Sequence, residues 1–525
     1  MARTRATGRS LTLGQHAFSQ IPSANIDRSV FNRSHGLKTA FNSGFLVPIF
    51  VDEALPGDTM RMKTSAFIRM ATPLYPIMDN MWADFFFFFV PNRLLWDNWQ
   101  RFCGEQDDPG DSTDFVIPQM TDTVAEESLS DYFGIPISTA APLTFNSLHH
   151  RAYNLIWNEW FRDENLQDSV VVDRDNGPDT PGDYVLLRRG KRHDYFTSCL
   201  PFAQKGIAVE LPLGTTAPVV STGDGQPTYD FGATTASLQS RAGGSQADLS
   251  GSPATTSIGV WNDPKLETDL TGATAATINQ IREAFQIQRL LERDARGGSR
   301  YTEIVRSHFG VTSPDQRLQR PEFLGGGSAR INANPVASTA IIGVSTVGEL
   351  GAFVTGFTED LGFFKSFVEH GVIIGLVSVR ADLTYQQGLH RMFSRQTRFD
   401  YYWPALARIG EQAVLSKEIF ADGSANDEDV FGFQERYAEY RYQPSRVTGV
   451  MRSDAALSLD PWHLALDFAA RPLLNETFIQ DQPPIDRVIA VPATLGVEFF
   501  ADMYFDYRCA RPMPTFGVPG LIDHM

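Results

Sequence analysis

Five consecutive phenylalanines, Phe85 to Phe89, constrain the fold of this 525-residue chain more than any other segment. Successive side chains of a β-strand point to opposite faces, so an unbroken aromatic run predicts a strand that is covered on both sides. Burial of five phenylalanines contributes on the order of 10 kcal/mol, which is comparable to the net stability of a whole domain. These five residues are therefore predicted to be core.

A helix is predicted directly after this strand. Pro91 ends the strand, Asn92 is a suitable N-cap residue, and Gly104 is a suitable stop signal. Between them the apolar residues have helical spacing: Leu95, Trp96, Trp99 and Phe102. Strand, corner and aromatic helix are predicted to form one unit.

The composition indicates a globular protein without an obvious affinity for nucleic acid over its whole surface. Hydrophobic residues make up 42% of the chain, aromatic residues 12%, and the net charge is −17. The cysteines Cys103, Cys199 and Cys509 are isolated, so neither a disulfide framework nor a zinc site is expected, and a reducing compartment fits best. No signal peptide is recognised, and the longest apolar stretch, Val372 to Val379, is too short to span a membrane.

The chain divides into three regions by composition. Residues 1–43 are predicted to form an extended basic arm. Residues 213–277 are rich in Gly, Ser, Thr and Ala, so they cannot easily build a core and are expected to be a surface insertion. Residues 44–212 and 278–525 are expected to form a β-sandwich core with long loops. Helices are predicted near 145–161 and 278–296, and strands at 44–51, 58–70, 206–211, 338–346, 371–383, 431–440 and 495–507.

Motifs of catalysis are not found. His149 and His150 are adjacent, so they cannot form the i, i+4 pair of a zinc hydrolase, and a structural role is expected. The glycines Gly325, Gly326 and Gly327 lack the lysine of a phosphate loop and are predicted to form a flexible corner. A solvated acidic turn is preferred over a calcium site for the oxygen-bearing residues Asp173, Asp175, Asn176, Asp179 and Asp183.

The basic arm is the feature of the sequence most suited to contact nucleic acid. Arg3, Arg5 and Arg9 are the candidate residues, because phosphate contacts need only arginine and reach. The alternative is a solvated, disordered tail. No cofactor and no metal ion are expected.

Several long segments resemble the major capsid protein of microviruses, the small tailless phages with circular single-stranded DNA, and specifically the gokushovirus branch. They occur across most of the chain in family order. The segments are FFVPNRLLWDNWQRFCGE (88–105), LPFAQKG (200–206), ERDARGGSRYTEIVRSHFGVTSPDQRLQRPEFLGGG (292–327), EHGVIIGLVSVRADLTYQQGL (369–389), YYWPALARIGEQAV (401–414), FGFQERYAEYRYQPSRVTG (431–449) and DPWHLALDF (460–468).

The resemblance implies a mainly β protein, a single viral jelly-roll β-barrel of eight antiparallel strands with large inserted loops that contain α-helices. It implies assembly in the host cytoplasm, through pentamers, into a small icosahedral shell of the virion, without catalytic activity. The phenylalanine strand becomes an early barrel strand, with Trp96 and Trp99 as packing anchors beside it. The insertion at 213–277 becomes a protrusion at the three-fold axes.

The implied partners are other copies of the chain, the single-stranded DNA genome, an internal scaffolding protein, a minor pilot protein, a small DNA-binding protein and a host surface receptor, but no membrane. A different class of function, a carbohydrate-active enzyme on a β-sandwich, is suggested only by abundant Trp, Tyr and acidic residues. It would need paired carboxylates about 5 to 9.5 Å apart.

Overall fold

The computed structural model describes residues 27–517 with internal gaps, and all structural statements refer to the residues that it describes. The gaps are 139, 208, 210–218, 224–226, 231–234, 241–246, 251–259, 264, 270–277, 341–346 and 491–495. The described chain divides into two compact units: residues up to 203 and from 298 onward form unit 1, and residues 204–297 form unit 2. Helix 278–296, predicted as part of the core region, therefore lies in unit 2.

Strands account for most of the regular structure, and no described helix is long and apolar enough to cross a membrane. The strands are β1 Ser29–Asn32, β2 His35–Phe41, β3 Val47–Ala54, β4 Thr59–Met70, β5 Met81–Pro91, β6 Gln119–Asp122, β7 Leu143–Asn146, β8 Val219–Ser221, β9 Thr228–Asp230, β10 Thr235–Ser240, β11 Ala247–Ser250, β12 Val260–Asp263, β13 Leu266–Thr268, β14 Glu322–Ala337, β15 Leu350–Ser366, β16 Gly371–Ala381, β17 Thr384–Tyr385, β18 Glu411–Leu415, β19 Val430–Glu435, β20 Ser445–Arg446 and β21 Phe499–Arg511.

The described α-helices are short, apart from one of 20 residues in unit 2. They are α1 Trp99–Phe102, α2 Leu129–Tyr132, α3 Leu148–Ile156, α4 Ile278–Gly297, α5 Tyr301–Phe309, α6 Ser416–Ile419 and α7 Glu476–Ile479. A π-helix, Trp157–Phe161, continues α3, so the predicted helix near 145–161 is confirmed from Leu148 to its end.

The main sheet of unit 1 has the strand order of a jelly roll. One half contains β3, β16, β5 and β14, and the other contains β15, β4 and β21, with β1 and β2 lying one after the other along β21. All neighbours are antiparallel, and hydrogen bonds between β14 and β15 join the halves into one curled sheet with eight strand positions. The predicted fold class, a mainly β jelly roll with helix-bearing insertions, is confirmed.

The predicted arm is too long at its C-terminal end. Residues 29–41 belong to β1 and β2, which pair with β21 along almost its whole length. Residues 29–41 are fixed in place because they pair with the otherwise unpaired backbone N–H and C=O groups at the edge of β21. In addition, Phe41 is fully buried in the core. Residues 1–26, the remainder of the predicted arm, lie outside the described residues.

The phenylalanine strand is β5, and its alternate side chains enter two different apolar clusters. Phe85, Phe87 and Phe89 lie inside the barrel, where the ring centroid of Phe87 is 5.8 Å from that of Phe363. Phe86 and Phe88 point to the other face and pack on the helical layer, with the ring of Phe88 5.4 Å from Trp160. The strand is thus covered on both sides.

The prediction of a flexible corner at Gly325 to Gly327 was wrong. These glycines lie within β14, opposite Phe87, Phe86 and Phe85 of β5. A Cβ atom on Gly326 would lie 2.1 Å from the carbonyl oxygen of Phe85, and one on Gly325 would lie 2.5 Å from that of Gly362. Glycine is needed here because the backbones of adjacent strands approach too closely for a side chain.

The continuous helix predicted from Asn92 to Gly104 was also wrong. Asn92–Leu94 is one 3-10 turn, its N-cap is Pro91 rather than Asn92, and α1 is a single turn. Between them the Asp97 N–H donates to the Arg174 carbonyl at 3.0 Å, and the Trp96 Nε1–H donates to Asn176 at 2.8 Å. The backbone bond of Asp97 replaces the helical bond that would have continued the helix, and the side-chain bond of Trp96 holds the same turn against the loop at 174–176.

Several predicted strands differ from the observed ones. Segments 44–51, 58–70, 371–383 and 495–507 correspond to β3, β4, β16 and β21 within a few residues, whereas β19 ends at Glu435, earlier than predicted. The prediction of a strand at 338–346 was wrong at its start, because β14 already ends at Ala337. The rest of that segment, 341–346, lies outside the described residues. Segment 206–211 also lies partly outside them.

In unit 2 the described strands form two small antiparallel sheets. One has the order β11, β10, β9, β12, and the other pairs β8 with β13. The predicted insertion 213–277 contains all six strands, although many of its residues lie outside the described part.

Candidate functional site

The residues predicted to contact nucleic acid, Arg3, Arg5 and Arg9, lie outside the described residues. The predicted anchors lie in the core or beside it: Trp96 is fully buried, while Trp99 is half-buried and packs with its ring 5.6 Å from that of His370. The functional surface must therefore be sought elsewhere in the described structure.

The adjacent histidines do not form a reactive pair. His150 is fully buried, lies 2.9 Å from the hydroxyl of Ser130, and is enclosed by the rings of Phe133, Phe145 and Tyr184. Burial lowers the pKa of His150 to about 3, so the imidazole is neutral at physiological pH. The neutral ring contributes packing.

The acidic turn at 173–183 is organised around a buried arginine. The Arg151 guanidinium donates to Asp179 at 2.7 Å and to the carbonyl oxygens of Leu95 and Asp175, both at 3.0 Å. Burial alone would raise the pKa of Asp179, but the bonds from Arg151 and Tyr184 hold it below its ordinary value. Within the described residues no cluster of three or more His, Cys, Asp or Glu side chains could hold a metal ion.

A cleft with a volume of about 190 Å³ lies between residues 385–393 and 439–452, and two buried glutamates line it. Arg391 donates to Glu418 at 3.0 Å, and Arg395 donates to Glu439 at 3.2 Å. Burial raises the pKa of Glu418, while the charge of Arg391 opposes that rise. Each carboxylate is bound by an arginine and so links two chain segments. Carboxylates bound in this way are poorly suited to act as the acid and the nucleophile that cleave a glycan.

The outer face of the half-sheet β21–β4–β15 exposes large aromatic side chains in the described structure. We name it the open sheet face, and it consists of Phe67, Phe353, Phe357, Phe364, Phe500 and Tyr504, which are 47 to 72% exposed. Neighbouring strands bring them together, since Phe67 is the register partner of Phe357. The alternate residues of the same strands point into the barrel and are buried.

Arginines are interspersed with these rings. Arg61 and Arg69 of β4 and Arg508 of β21 are exposed on the same face, and Arg69 is the register partner of Phe500. The acidic residues of the face are partly neutralised: Lys63 pairs with Asp360 at 2.5 Å, and Lys38 with Asp502 at 3.8 Å.

The open sheet face is absent from the predictions made from the sequence, because β15 is not among the predicted strands. The alternation of Phe353, Thr355 and Phe357 was a usable signal, but glycines interrupt it at Gly351, Gly356 and Gly362. The segment 58–70 is among the predicted strands, but Phe67 on the outer face of β4 is not singled out.

In comparisons with known proteins, almost the whole chain matches one family. The profile of the family described as "Capsid protein (F protein)" matches residues 19–521. The chain is 50% identical to the capsid protein VP1 of Bdellovibrio phage phiMH2K, and the match covers 96% of this chain and 97% of that protein. It is 43% identical to the capsid protein VP1 of Chlamydia phage 1, with 98% and 99% covered, and 36% identical to that of Spiroplasma virus 4, with 96% and 97% covered.

Proposed function

Because the chain belongs to the capsid protein (F protein) family and is the major capsid protein of a gokushovirus-type microvirus, we propose that it assembles through pentamers into a small icosahedral shell around a circular single-stranded DNA genome. The family name indicates a structural, non-enzymatic role in the virion. No observation favours the carbohydrate-active alternative, since the two buried carboxylates of the cleft are bound by arginines.

The observation that carries the proposal is the unequal covering of the two halves of the barrel. The outer face of the β16–β5 half packs on α3 and its neighbours, where Phe88, Val372, Ile374 and Leu376 are buried. The other half presents the open sheet face. Six aromatic side chains about half exposed leave about 600 Å² uncovered, at the upper limit for a soluble monomer. Such a surface is expected to be covered in the assembled particle.

We infer that the open sheet face lies against the genome. Exposed rings offer stacking surfaces for unpaired bases, and the interspersed arginines offer contacts to phosphates, which is the composition of single-stranded nucleic acid sites. Residues 1–26, with Arg3, Arg5 and Arg9, precede β1, an edge strand of the same half. An acidic shell protein fits this arrangement if the small basic DNA-binding protein of the virus neutralises most of the genome. The scaffolding and pilot proteins would act during assembly in the host cytoplasm.

The test of the proposed function is assembly in the presence of the scaffolding partner. We expect closed icosahedral shells by electron microscopy and a pentamer as an intermediate in analytical ultracentrifugation. Material that stays monomeric under these conditions would contradict the proposed function.

Genome contact is tested on the same particles with the variant Arg3→Ala, Arg5→Ala, Arg9→Ala. Removal of three phosphate-binding charges is expected to leave shells intact but to lower the DNA content per particle. It is also expected to reduce the slope of the logarithm of the affinity for single-stranded DNA against the logarithm of the salt concentration by about two, because each charge contributes about 0.7 to this slope. The matched control replaces Arg174, Arg317 and Arg452, exposed arginines of unit 1, with alanine and tests the loss of charge alone. Unchanged DNA content in the arm variant would refute the contact.

We further propose that the segment 213–277 protrudes from the particle surface at the three-fold axes and binds the host receptor. Support comes from its composition and from the separation of residues 204–297 as a compact unit, which would let the shell form without it. Among the strand residues of this segment whose burial the structure describes, Ala236 alone is buried.

Deletion of residues 218–272 is expected to permit shell assembly and to reduce adsorption to host cells at least tenfold. Adsorption is measured as the loss of free particles from a suspension of host cells, with wild-type particles in parallel. Normal adsorption by the deleted particles would remove the receptor role, while failure to form shells would show that the segment contributes to assembly.

A further inference from the structure

A second exposed aromatic surface lies in unit 1, away from the main sheet. We name it the aromatic–arginine face, and it is formed by Arg395, Arg398, Phe399, Tyr401, Tyr402, Trp403, Tyr440 and Tyr442. The six rings are 45 to 56% exposed. Both chain segments that build it are charged: residues 390–409 and 435–446 together hold seven arginines and three acidic residues, a surplus of four positive charges in a chain of net charge −17.

The aromatic–arginine face is fixed by internal contacts before any partner binds. The Arg395 guanidinium lies 4.2 Å from the ring centroid of Tyr440 and pairs with Glu439 at 3.2 Å. The Trp403 Nε1–H donates to the carbonyl oxygen of Arg398 at 2.7 Å, and the ring of Tyr402 lies 5.3 Å from that of Tyr437. Rigid, half-exposed aromatic residues combined with arginine are typical of the energetic centre of protein interfaces.

An acidic loop of opposite charge lies elsewhere in unit 1. Residues 105–114 contain Glu105, Asp107, Asp108, Asp111 and Asp114 and no lysine or arginine, and all except Asp111 are exposed. Aromatic side chains anchor both ends of the loop: Phe102 packs with its ring 5.4 Å from Trp96, and Phe115 with its ring 6.4 Å from Trp96. The negative charges are therefore presented from a fixed base.

The two surfaces start from opposite ends of the same pair of strands. Gly371 of β16 pairs with Pro91 of β5, and Ala381 pairs with Met81. The acidic loop follows the Pro91 end, whereas β17, which pairs with β20 beside the aromatic–arginine face, begins three residues after Ala381. At about 3.3 Å per residue, the ends of these 11-residue strands are about 33 Å apart.

We propose that the aromatic–arginine face of one copy binds the acidic loop of the next copy in a head-to-tail contact. Two different complementary surfaces on one chain form a heterologous interface, and such an interface closes into a ring when the rotation between copies permits it. This inference rests on the proposed self-assembly and specifies which surfaces meet within the pentamer. About 600 Å² of half-exposed rings is close to the roughly 800 Å² that each partner contributes to a standard interface.

A second copy fits the face better than nucleic acid does. Arg395 has a side chain only 9% exposed and is bound to Glu439, so it is held flat among the rings and not directed outward at a phosphate. A loop with five carboxylates would repel DNA, whereas the positive surplus of the two segments that build the face is complementary to it.

The test is a charge exchange between the two surfaces. Arg398→Glu reverses an exposed charge of the face, and Asp108→Arg reverses an exposed charge of the loop. Each single variant is expected to lower the yield of pentamers and shells about tenfold, because like charges then meet across the contact, and the double variant is expected to recover most of the wild-type yield. The matched control combines Arg398→Glu with Asp168→Arg, an exposed aspartate outside the loop, and should recover nothing.

Folding of every variant is followed by circular dichroism and thermal unfolding, so that a loss of assembly is separated from a loss of structure. Normal assembly by both single variants overturns the head-to-tail contact and leaves the proposed function standing. Normal assembly together with weaker binding of a single-stranded oligonucleotide by Arg398→Glu also overturns it and assigns the face to nucleic acid. Wild-type protein that never associates overturns the proposed function and this inference with it.

Discussion

Phe87→Ala is expected to destabilise unit 1 by about 3 to 5 kcal/mol, the usual cost of removing a fully buried phenylalanine and leaving a cavity. Phe87 is fully buried in the barrel, and its ring packs against that of Phe363. The backbone around it has no freedom to collapse into the space, because Gly375 of β16 already lies so close that a Cβ atom there would be 2.7 Å from the ring of Phe87. Urea denaturation of the unassembled subunit, followed by circular dichroism, measures the shift.

The matched control is Phe364→Ala, the same substitution on β15 at a side chain that is 72% exposed. It removes little buried area and is expected to cost less than about 1 kcal/mol in the isolated subunit. Equal destabilisation by the two substitutions would contradict the assignment of Phe87 to the barrel interior.

Arg151→Ala is expected to destabilise unit 1 by a similar amount, about 3 to 5 kcal/mol, by a different mechanism. Both Arg151 and its partner Asp179 have side chains with no exposure, so removal of the arginine leaves a buried carboxylate without its counter-charge. It also leaves the carbonyl oxygens of Leu95 and Asp175 without their donor. The loop at 173–179 and the turn at Leu95 are expected to separate, which the fluorescence of Trp96 would report.

The control for Arg151 is Arg101→Ala. Arg101 pairs with Asp107 at 3.0 Å, but both side chains are exposed, so this substitution should destabilise unit 1 far less than Arg151→Ala does. The pH dependence gives a second check: the pKa of Asp179 lies below its ordinary 3.8 in the folded protein, so its stabilisation is present at neutral pH and is lost as the pH falls below that value. Wild type and Arg151→Ala should therefore differ most above pH 4. A constant difference down to pH 2 would argue against the ion pair as the cause.

The sequence was sufficient to predict those parts of the fold in which one segment's own pattern decides its structure. The phenylalanine strand, the alternation in β4 and the apolar helix around α3 are of this kind, because periodicity reports directly which side chains must be buried. The strand β14 could not be found in this way. Its glycines are unfavourable in a strand by intrinsic preference, and their place in the sheet depends on the close approach of Phe85 and Gly362 from distant parts of the chain.

The proposed functional surfaces were even harder to predict from the sequence, because they form only through tertiary contacts. Phe67, Phe357 and Phe500 come from three distant segments and form one exposed surface only because β4 lies between β15 and β21. A phenylalanine in a sequence is expected to be buried, and nothing local indicates that these three are not. Five of the six rings of the aromatic–arginine face lie in two segments that carry the family resemblance, 401–414 and 431–449, whereas Arg395, Arg398 and Phe399 lie outside them. The exposure of the face becomes visible only once the side chains are placed.

The two-sided burial of β5 has a mechanical consequence for the proposed DNA-filled shell. Its phenylalanines belong alternately to the barrel interior and to the helical layer, so the two layers share one covalent backbone and no slip plane lies between them. A load applied to the helical layer is transmitted through Phe86 and Phe88 into the strand, and from there through Phe85 and Phe87 into the barrel. Sliding of one layer over the other would require extraction of an aromatic ring from its pocket at every second residue. The subunit is therefore expected to deform as one stiff body under internal pressure and to yield first at the contacts between copies.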